Sequence, residues 1–188
     1  TVSFAVAMEQ LLKSKQMQVF EGISKRLWEH TAHVAALCRT LARKVAKING
    51  DEAMFAGLVH ALGVFYLMSR AVNFPELVAD KAELHGLLVG WHDNIGHALL
   101  SALGSPEVVL QAVQEHETDR EISEVKTLSD VLYVANKIAN RTASWRDPVS
   151  DEPVDTSMLD SVFDAETLAE IVAESEEEVA SLKSALGA

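Results

Sequence analysis

Residues 53–68, AMFAGLVHALGVFYLM, carry no charged side chain and hold one imidazole, His60, near their middle. A stretch this apolar has to be shielded from water. Sixteen residues fall short of the roughly 20 that a helix needs to cross a bilayer. The expectation is therefore a central helix buried on all sides, with no membrane association. Within it His60 is costly unless something pairs with it, and its next neighbour, Ala61, offers only a methyl group. The two glycines, Gly57 and Gly63, are explained by close helix packing and need no ligand.

The rest of the chain reads as helical, and alternating strand patterns are nearly absent, so the fold class is all-α. Residues 21–47 carry an apolar stripe at Ile23, Leu27, Val34, Leu37, Leu41 and Val45. His30 fills the one seven-residue step in that stripe and so faces inward. Asp51 is the expected cap of the central helix. Pro75 and the Gly86 to Gly90 region are expected to break the following segment into short helices, the last ending at Gly104. Ser105 then caps another, with Pro106 in its first turn. A further helix is expected over 125–144. Pro148 and Pro153 mark a linker, 147–163, between a helical domain (1–146) and an acidic amphipathic helix (164–188). In that helix Leu168, Val172, Val179, Leu182 and Leu186 share a stripe with Ser175, which can dock on the body or on a second subunit.

Charge separates the same regions. From Asp147 onward there are twelve acidic residues against one lysine, Lys183, whereas the first 146 residues are within one charge of neutral. No basic face exists for a phosphate backbone, so nucleic-acid binding is not expected. The acidic tail reads as a solvated helix face. The single cysteine, Cys38, excludes an internal disulfide and a cysteine-rich zinc site, and is expected to pack as a small apolar residue. The opening TVSFAVAMEQ has neither a starter Met nor a basic segment before its apolar residues, so it is not read as a signal peptide. It reads as helix interior, and the expectation is a piece of a longer protein.

Four histidines lie on the inward faces of four helices: His30, His60, His92 and His116. Any one alone is most simply a core histidine held by a backbone carbonyl. Four together match the way helical bundles build metal sites from facing side chains. His33, His85 and His97 fall on polar faces or near breaks and are expected at the surface. No glycine-rich phosphate loop, Gly-x-Ser-x-Gly elbow or Cys–His nucleophile pair competes with this cluster.

The ordered segments WEHTAHVAALC and FAGLVHALG resemble the HD superfamily of metal-dependent phosphohydrolases. More closely, Trp28, Gly57 to Gly63, His92 to Leu100 and Pro106 to Glu117 resemble, in order, the HDOD branch, over residues 1 to about 145. The resemblance implies an HD-domain-like helical bundle, a bacterial cytoplasmic signalling module, and a preceding helical subdomain that this chain lacks. It also implies that His30 and His60 match the first two metal ligands. His92 and His116 match histidines that hold additional metal in relatives with an extended ligand set. Ala61 stands where the aspartate of the His-Asp doublet belongs, Asn136 where the late aspartate belongs, and Glu115 where a further histidine belongs.

The two replacements bear on chemistry. Hydrolysis at a metal requires that the ion be held, that a bound water be acidified and that charge on the phosphate be stabilised. Mg²⁺ and Mn²⁺ prefer carboxylate oxygen, whereas histidines alone suit Zn²⁺ or Ni²⁺. Asp93, Glu115 and Glu117 are candidate substitute oxygens, although Asp93 lies about 100° around the helix axis from His92. The leading expectation is a non-catalytic HDOD-type regulatory module with no cofactor and with signalling proteins or domains as partners. The alternatives are a phosphohydrolase of nucleotides or cyclic dinucleotides using His30, His60, His92 and His116 with a divalent transition metal, and a scaffold that forms homo-oligomers through the 164–186 helix.

Overall fold

Leu27, His30, Val34, Leu37 and Leu41 recur at steps of three and four and build helix α1 (Glu21–Leu41), in which all five are buried. The computed structural model describes residue 10 and residues 14–142, 144–146 and 155–186. A 3₁₀ segment, Lys15–Phe20, leads into α1. The expected helix over 21–47 changes character near its end. Residues Ala42–Ala46 form one wide π turn, and Lys47 stops it in a left-handed conformation with φ 56°.

The apolar run does not form one helix as expected. It divides at His60 and Ala61 into α2 (Gly50–Val59) and α3 (Leu62–Ala71). The backbone of His60 still donates to Ala56, but the ladder restarts at Ala61, whose carbonyl accepts from Val64 and Phe65. Asn49 rather than Asp51 caps α2, its side-chain oxygen taking the N–H groups of Asp51 and Glu52. The Asp51 carboxylate instead pairs with Arg39 at 3.3 Å. Residues 50–71 are long and apolar enough to cross a membrane by length and composition alone, yet 67% of the 18-residue apolar window within them lies inside the protein.

Both glycines of the run are contact points. A methyl group on Gly57 would meet the Ala35 Cα of α1 at 2.6 Å. One on Gly63 would meet the carbonyl oxygen of His92 at 1.9 Å. Backbone therefore touches backbone at both places, which only glycine permits. These two contacts set how far His60 stands from His30 on one side and from His92 on the other.

After a short α4 (Pro75–Ala79), α5 runs unbroken over Lys81–Ala102. Gly86 and Gly90 do not break it, contrary to expectation. Each glycine costs a helix roughly 1 kcal/mol relative to alanine. The buried stripe Leu84, Leu88, His92, Gly96 and Leu100, repeating every four residues, outweighs that cost. Asp80 caps the start of α5 through the Glu83 N–H at 3.0 Å. Gly104, with φ +72°, ends the segment where the sequence places the stop. Helix α6 (Glu107–Glu115) begins with Pro106 at the capping position, one residue later than the Ser105 cap expected. Helix α7 (Leu128–Thr142) starts three residues inside its expected range. There Thr127 and Asp130 exchange side-chain to backbone hydrogen bonds at 2.9 and 3.1 Å.

Helix α1 packs against α2 and α7, α3 against α5, and α6 against α5 and α7. Beyond the Pro148 and Pro153 link, which lies outside the described residues, come α8 (Leu159–Val162) and α9 (Ala165–Leu186). The acidic α9 lies along α1 of its own chain. It buries Ile171, Ser175, Val179 and Leu182, while Glu174 and Glu178 reach Lys44 at 2.5 Å and Arg39 at 2.9 Å. Leu186, the last member of the expected stripe, lies among side chains that are not described.

The apolar interior forms two main clusters, and His60 stands where they meet: Val59 belongs to one and Ala61 to the other. Cys38 is fully buried, and burial pushes its thiol far up, out of the reactive range. Among the described residues there is no strand.

Candidate functional site

The four histidines singled out in the sequence converge, and each is at most 2% exposed. Their rings form a chain. Centroids are 5.4 Å apart from His30 to His60, 5.2 Å from His60 to His116 and 6.1 Å from His116 to His92. His33, His85 and His97 lie outside this chain and are half-buried rather than fully at the surface.

Three of the four are oriented by one local device. The Nδ1 of His60 lies 2.6 Å from the Gly57 carbonyl, and that of His116 lies 2.6 Å from the Val113 carbonyl. The Nδ1 of His92 lies 3.0 Å from the Val89 carbonyl and 3.1 Å from that of Leu88. These carbonyls sit three or four residues back in the same helix. Each Nδ1 therefore donates, and in His60 and His92 the other ring nitrogen is turned into the interior. The Nε2 of His60 is buried without a hydrogen bond, whereas that of His92 faces two carboxylates. Burial, and then the neighbouring His116 and His30, hold His60 well below the usual histidine range. Its Nε2 is a bare lone pair.

His30 differs. Its Nε2 lies 3.0 Å from the Asn136 Oδ1, an oxygen that also accepts from the Asn140 side chain at 3.3 Å. With that oxygen accepting twice, the proton belongs on His30 Nε2 and the nitrogen is engaged. The resemblance placed metal-binding carboxylates at 61 and 136. Ala61 instead packs its methyl into an apolar cluster, and Asn136 closes the His30 end of the pocket.

The carboxylates in this pocket lie at the opposite end. Glu117 Oε2 is 3.5 Å from His92 Nε2 and 2.6 Å from Arg146 Nη2. Burial works to raise its pKa, but His92, His116 and Arg146 together hold it far below the usual carboxylate range. Asp93 Oδ1 lies 3.1 Å from His92 Nε2 and 3.7 Å from His116 Nδ1. Its position around the axis does not keep it out, because its short side chain folds back beneath the imidazole of the preceding residue. Burial raises its pKa, against the pull of the two histidines. Burial lowers that of His92, yet Glu117 and Asp93 outweigh it and the net shift is upward. Glu115 turns away, to Gln111 at 3.0 Å and Arg120 at 3.2 Å.

Two residues carried no signal in the sequence. Trp145, 3% exposed, sets its ring edge-on to His92 at 5.7 Å. Its carbonyl accepts from Arg26 Nε at 3.4 Å, and Arg146 follows directly onto Glu117. Both lie past the periodic part of α7, in a segment whose composition reads as the start of a loop.

The donors of His92, His116 and Glu117 lie within 4.8 Å of one another. Two imidazoles and one carboxylate suit a transition ion such as Zn²⁺. The His30 end does not fit a hard ion: position 61 has no donor, and the oxygen at 136 is a neutral amide already accepting two hydrogen bonds.

An all-α scaffold that turns imidazoles from separate helices into one interior pocket is the HD-like class of helical fold. The profile of the HDOD domain matches residues 1–119, and the chain belongs to the HDOD family. A crystal structure from Shewanella amazonensis SB2B, provisionally designated a metal-dependent phosphohydrolase, superposes with a TM-score of 0.74 at 21% sequence identity. The match covers 95% of this chain and 65% of that one, so the chain spans about two thirds of its neighbour's length. At that identity the likeness concerns the fold. No curated protein matches the sequence.

Proposed function

We propose that this HDOD domain is a bacterial cytoplasmic signalling module that has lost phosphoester hydrolysis and acts through partner proteins or domains. One observation carries the reading. The His30 Nε2, which in a hydrolytic centre of this kind would face a metal, instead shares a 3.0 Å hydrogen bond with Asn136, and Ala61 supplies no donor beside His60. Without a carboxylate at that end among the described residues, none of the side chains described there can hold a hard cation or take a proton from an attacking water.

Purified protein is expected to show no turnover of phosphodiester or nucleotide substrates with Mn²⁺ or Mg²⁺. Metal-dependent turnover would overturn the reading. The double substitution Ala61→Asp with Asn136→Asp is expected to raise Mn²⁺ affinity, since it returns two carboxylates to the pocket. The phosphohydrolase alternative draws on the His92, His116 and Glu117 donors, and the same turnover assay decides it. The scaffold reading, self-association through the 164–186 helix, is tested by light scattering. An unchanged mass on deleting residues 164–188 counts against it.

A further inference from the structure

We propose that the outward face of α5 docks a second copy of this chain, the two α5 helices crossing in the same direction about a twofold axis near Asn94. The face lies outside the histidine pocket, and the inference does not depend on whether the domain hydrolyses anything.

Rows of every fourth residue organise α5. The inward row, Leu84, Leu88, His92, Gly96 and Leu100, is buried. The opposite row, Gly86, Gly90, Asn94, Ala98 and Ala102, is exposed and made of small side chains. A methyl group on Gly86 or Gly90 would meet nothing within 4 Å. Beside it runs a third row of large apolar residues: Leu87, Trp91, Ile95, Leu99 and Leu103. Trp91 is 58% exposed and Leu103 71%. The other three are half-buried, yet none joins the core clusters formed by the described residues. Helix α5 thus turns outward an apolar ridge beside a shallow groove, about 33 Å long at 1.5 Å per residue. Contiguous exposed apolar surface of this kind marks an interaction site.

Shape, charge and area favour a second copy as the occupant. The face is self-complementary. A twofold axis running along the pair sets the ridge of each copy into the groove of the other, and rows spaced by four residues interlock at a crossing of about 50°. Glycine in the groove lets the backbones come close enough for Trp91 to reach across. Asn94, the polar member of the groove row, meets its counterpart at the axis, where two amides can donate and accept reciprocally.

The formal net charge of −12 keeps copies apart elsewhere on the surface. From Leu84 to Pro106, histidines aside, the one ionisable residue is Asp93, and its carboxylate is turned to His92 at 3.1 Å. The same lack of Lys and Arg disfavours an anionic lipid surface. Ridge and groove together expose on the order of 500 Å² per copy, so pairing buries about 1,000 Å², the low end for a specific interface. The dimer is therefore weak and forms in the micromolar range. It is separate from α9, which is docked on α1 of its own chain.

The test is sedimentation velocity of the full chain from about 1 µM to about 500 µM, a range that brackets such an affinity. The parent is expected to pass from one copy to two. Trp91→Glu sets like charges against each other across the axis and is expected to stay monomeric throughout. Gly90→Leu fills the groove without touching its own domain, and leucine favours a helix over glycine. It is expected to raise the urea midpoint, read at the dilute end, while weakening the dimer about tenfold or more. A glycine of purely structural importance would not separate those two readouts.

A parent that is monomeric at the highest concentration overturns the proposal, whatever other protein the face then binds. So does a dimer that survives both substitutions, and if deletion of residues 164–188 abolishes that dimer, the association belongs to α9.

Discussion

The two ends of the histidine pocket are built from the same residue type and have opposite chemistry. At the inner end His30 meets a neutral amide, Asn136, and its ring nitrogen is satisfied. At the outer end His92 and His116 meet Asp93 and Glu117, and a guanidinium balances the charge. His60 lies between, its Nε2 unpaired. Carboxylates are absent where the HD resemblance puts them and present at the other end. A pocket can therefore keep its imidazoles and its packing with its acidic groups gathered at one end.

The largest expected effect comes from the two glycines that set the spacing of the ends. Gly63→Ala forces a methyl against the His92 carbonyl, where neither partner is a flexible side chain. It is expected to cost about 3 kcal/mol or more, read as a fall in the urea midpoint. Gly57→Ala, with its looser 2.6 Å clash on the His30 side, is expected to cost less. If the order were reversed, the inner end would be the more tightly held.

Next comes the amide itself. Asn136→Leu keeps similar volume but leaves the His30 Nε2–H and one Asn140 donor without their shared acceptor. A loss of about 2 kcal/mol is expected from the stranded donors, measured by chemical denaturation. A neutral result would mean that His30 finds another partner as readily.

Acid separates the middle of the pocket from its outer end. The His60 pKa is depressed by burial and by its imidazole neighbours, so the unfolded chain takes up the proton more readily than the folded one. The stability that neutral His60 confers is complete above about pH 6.5, the unfolded value. It is lost as pH falls from there. The His92 pKa is raised, so its contribution has the opposite sign: full below about pH 6.5 and lost as pH climbs through the folded value. Unfolding midpoints between pH 5 and 8 are expected to depend less on acid in His60→Leu and more on acid in His92→Leu. The same slope in all three proteins would refute the assignment.

The smallest effect sharpens the contrast between two carboxylates two residues apart. Glu115 pairs with Arg120 at the surface and turns away from the pocket. Glu115→Gln is expected to cost about 0.5 kcal/mol at most, in contrast to Glu117→Gln, which removes a carboxylate paired with both His92 and Arg146 and is expected to cost more. Equal shifts of the urea midpoint would show that the two carboxylates are held alike.

Much of this was legible in the sequence. The three- and four-residue steps around His30 place it on the buried face of α1, and steps of four place His92 on that of α5. The glycine contacts and the losses at 61 and 136 were also open to a reader of the residues. The errors have local causes. Gly86 and Gly90 read as breaks because propensity is local, whereas the stripe that holds α5 together draws its energy from packing. Asp51 read as a cap because its type suits the role, but Asn49 lies nearer the first free N–H groups, and Asp51 found Arg39 instead. The bend at His60 had no signal, because a uniformly apolar run does not show where two clusters divide it.

Residue order by itself determined that the chain is helical, that four imidazoles turn inward, and that two expected carboxylates are missing. Those are properties of one helix or one position at a time, set by periodicity and side-chain chemistry. Only the tertiary structure decided that His30 is closed by Asn136 while Asp93, Glu117 and Arg146 gather at the other end. Which polar groups meet depends on the register of several helices at once, and that register is set by backbone contacts such as Gly63 against His92.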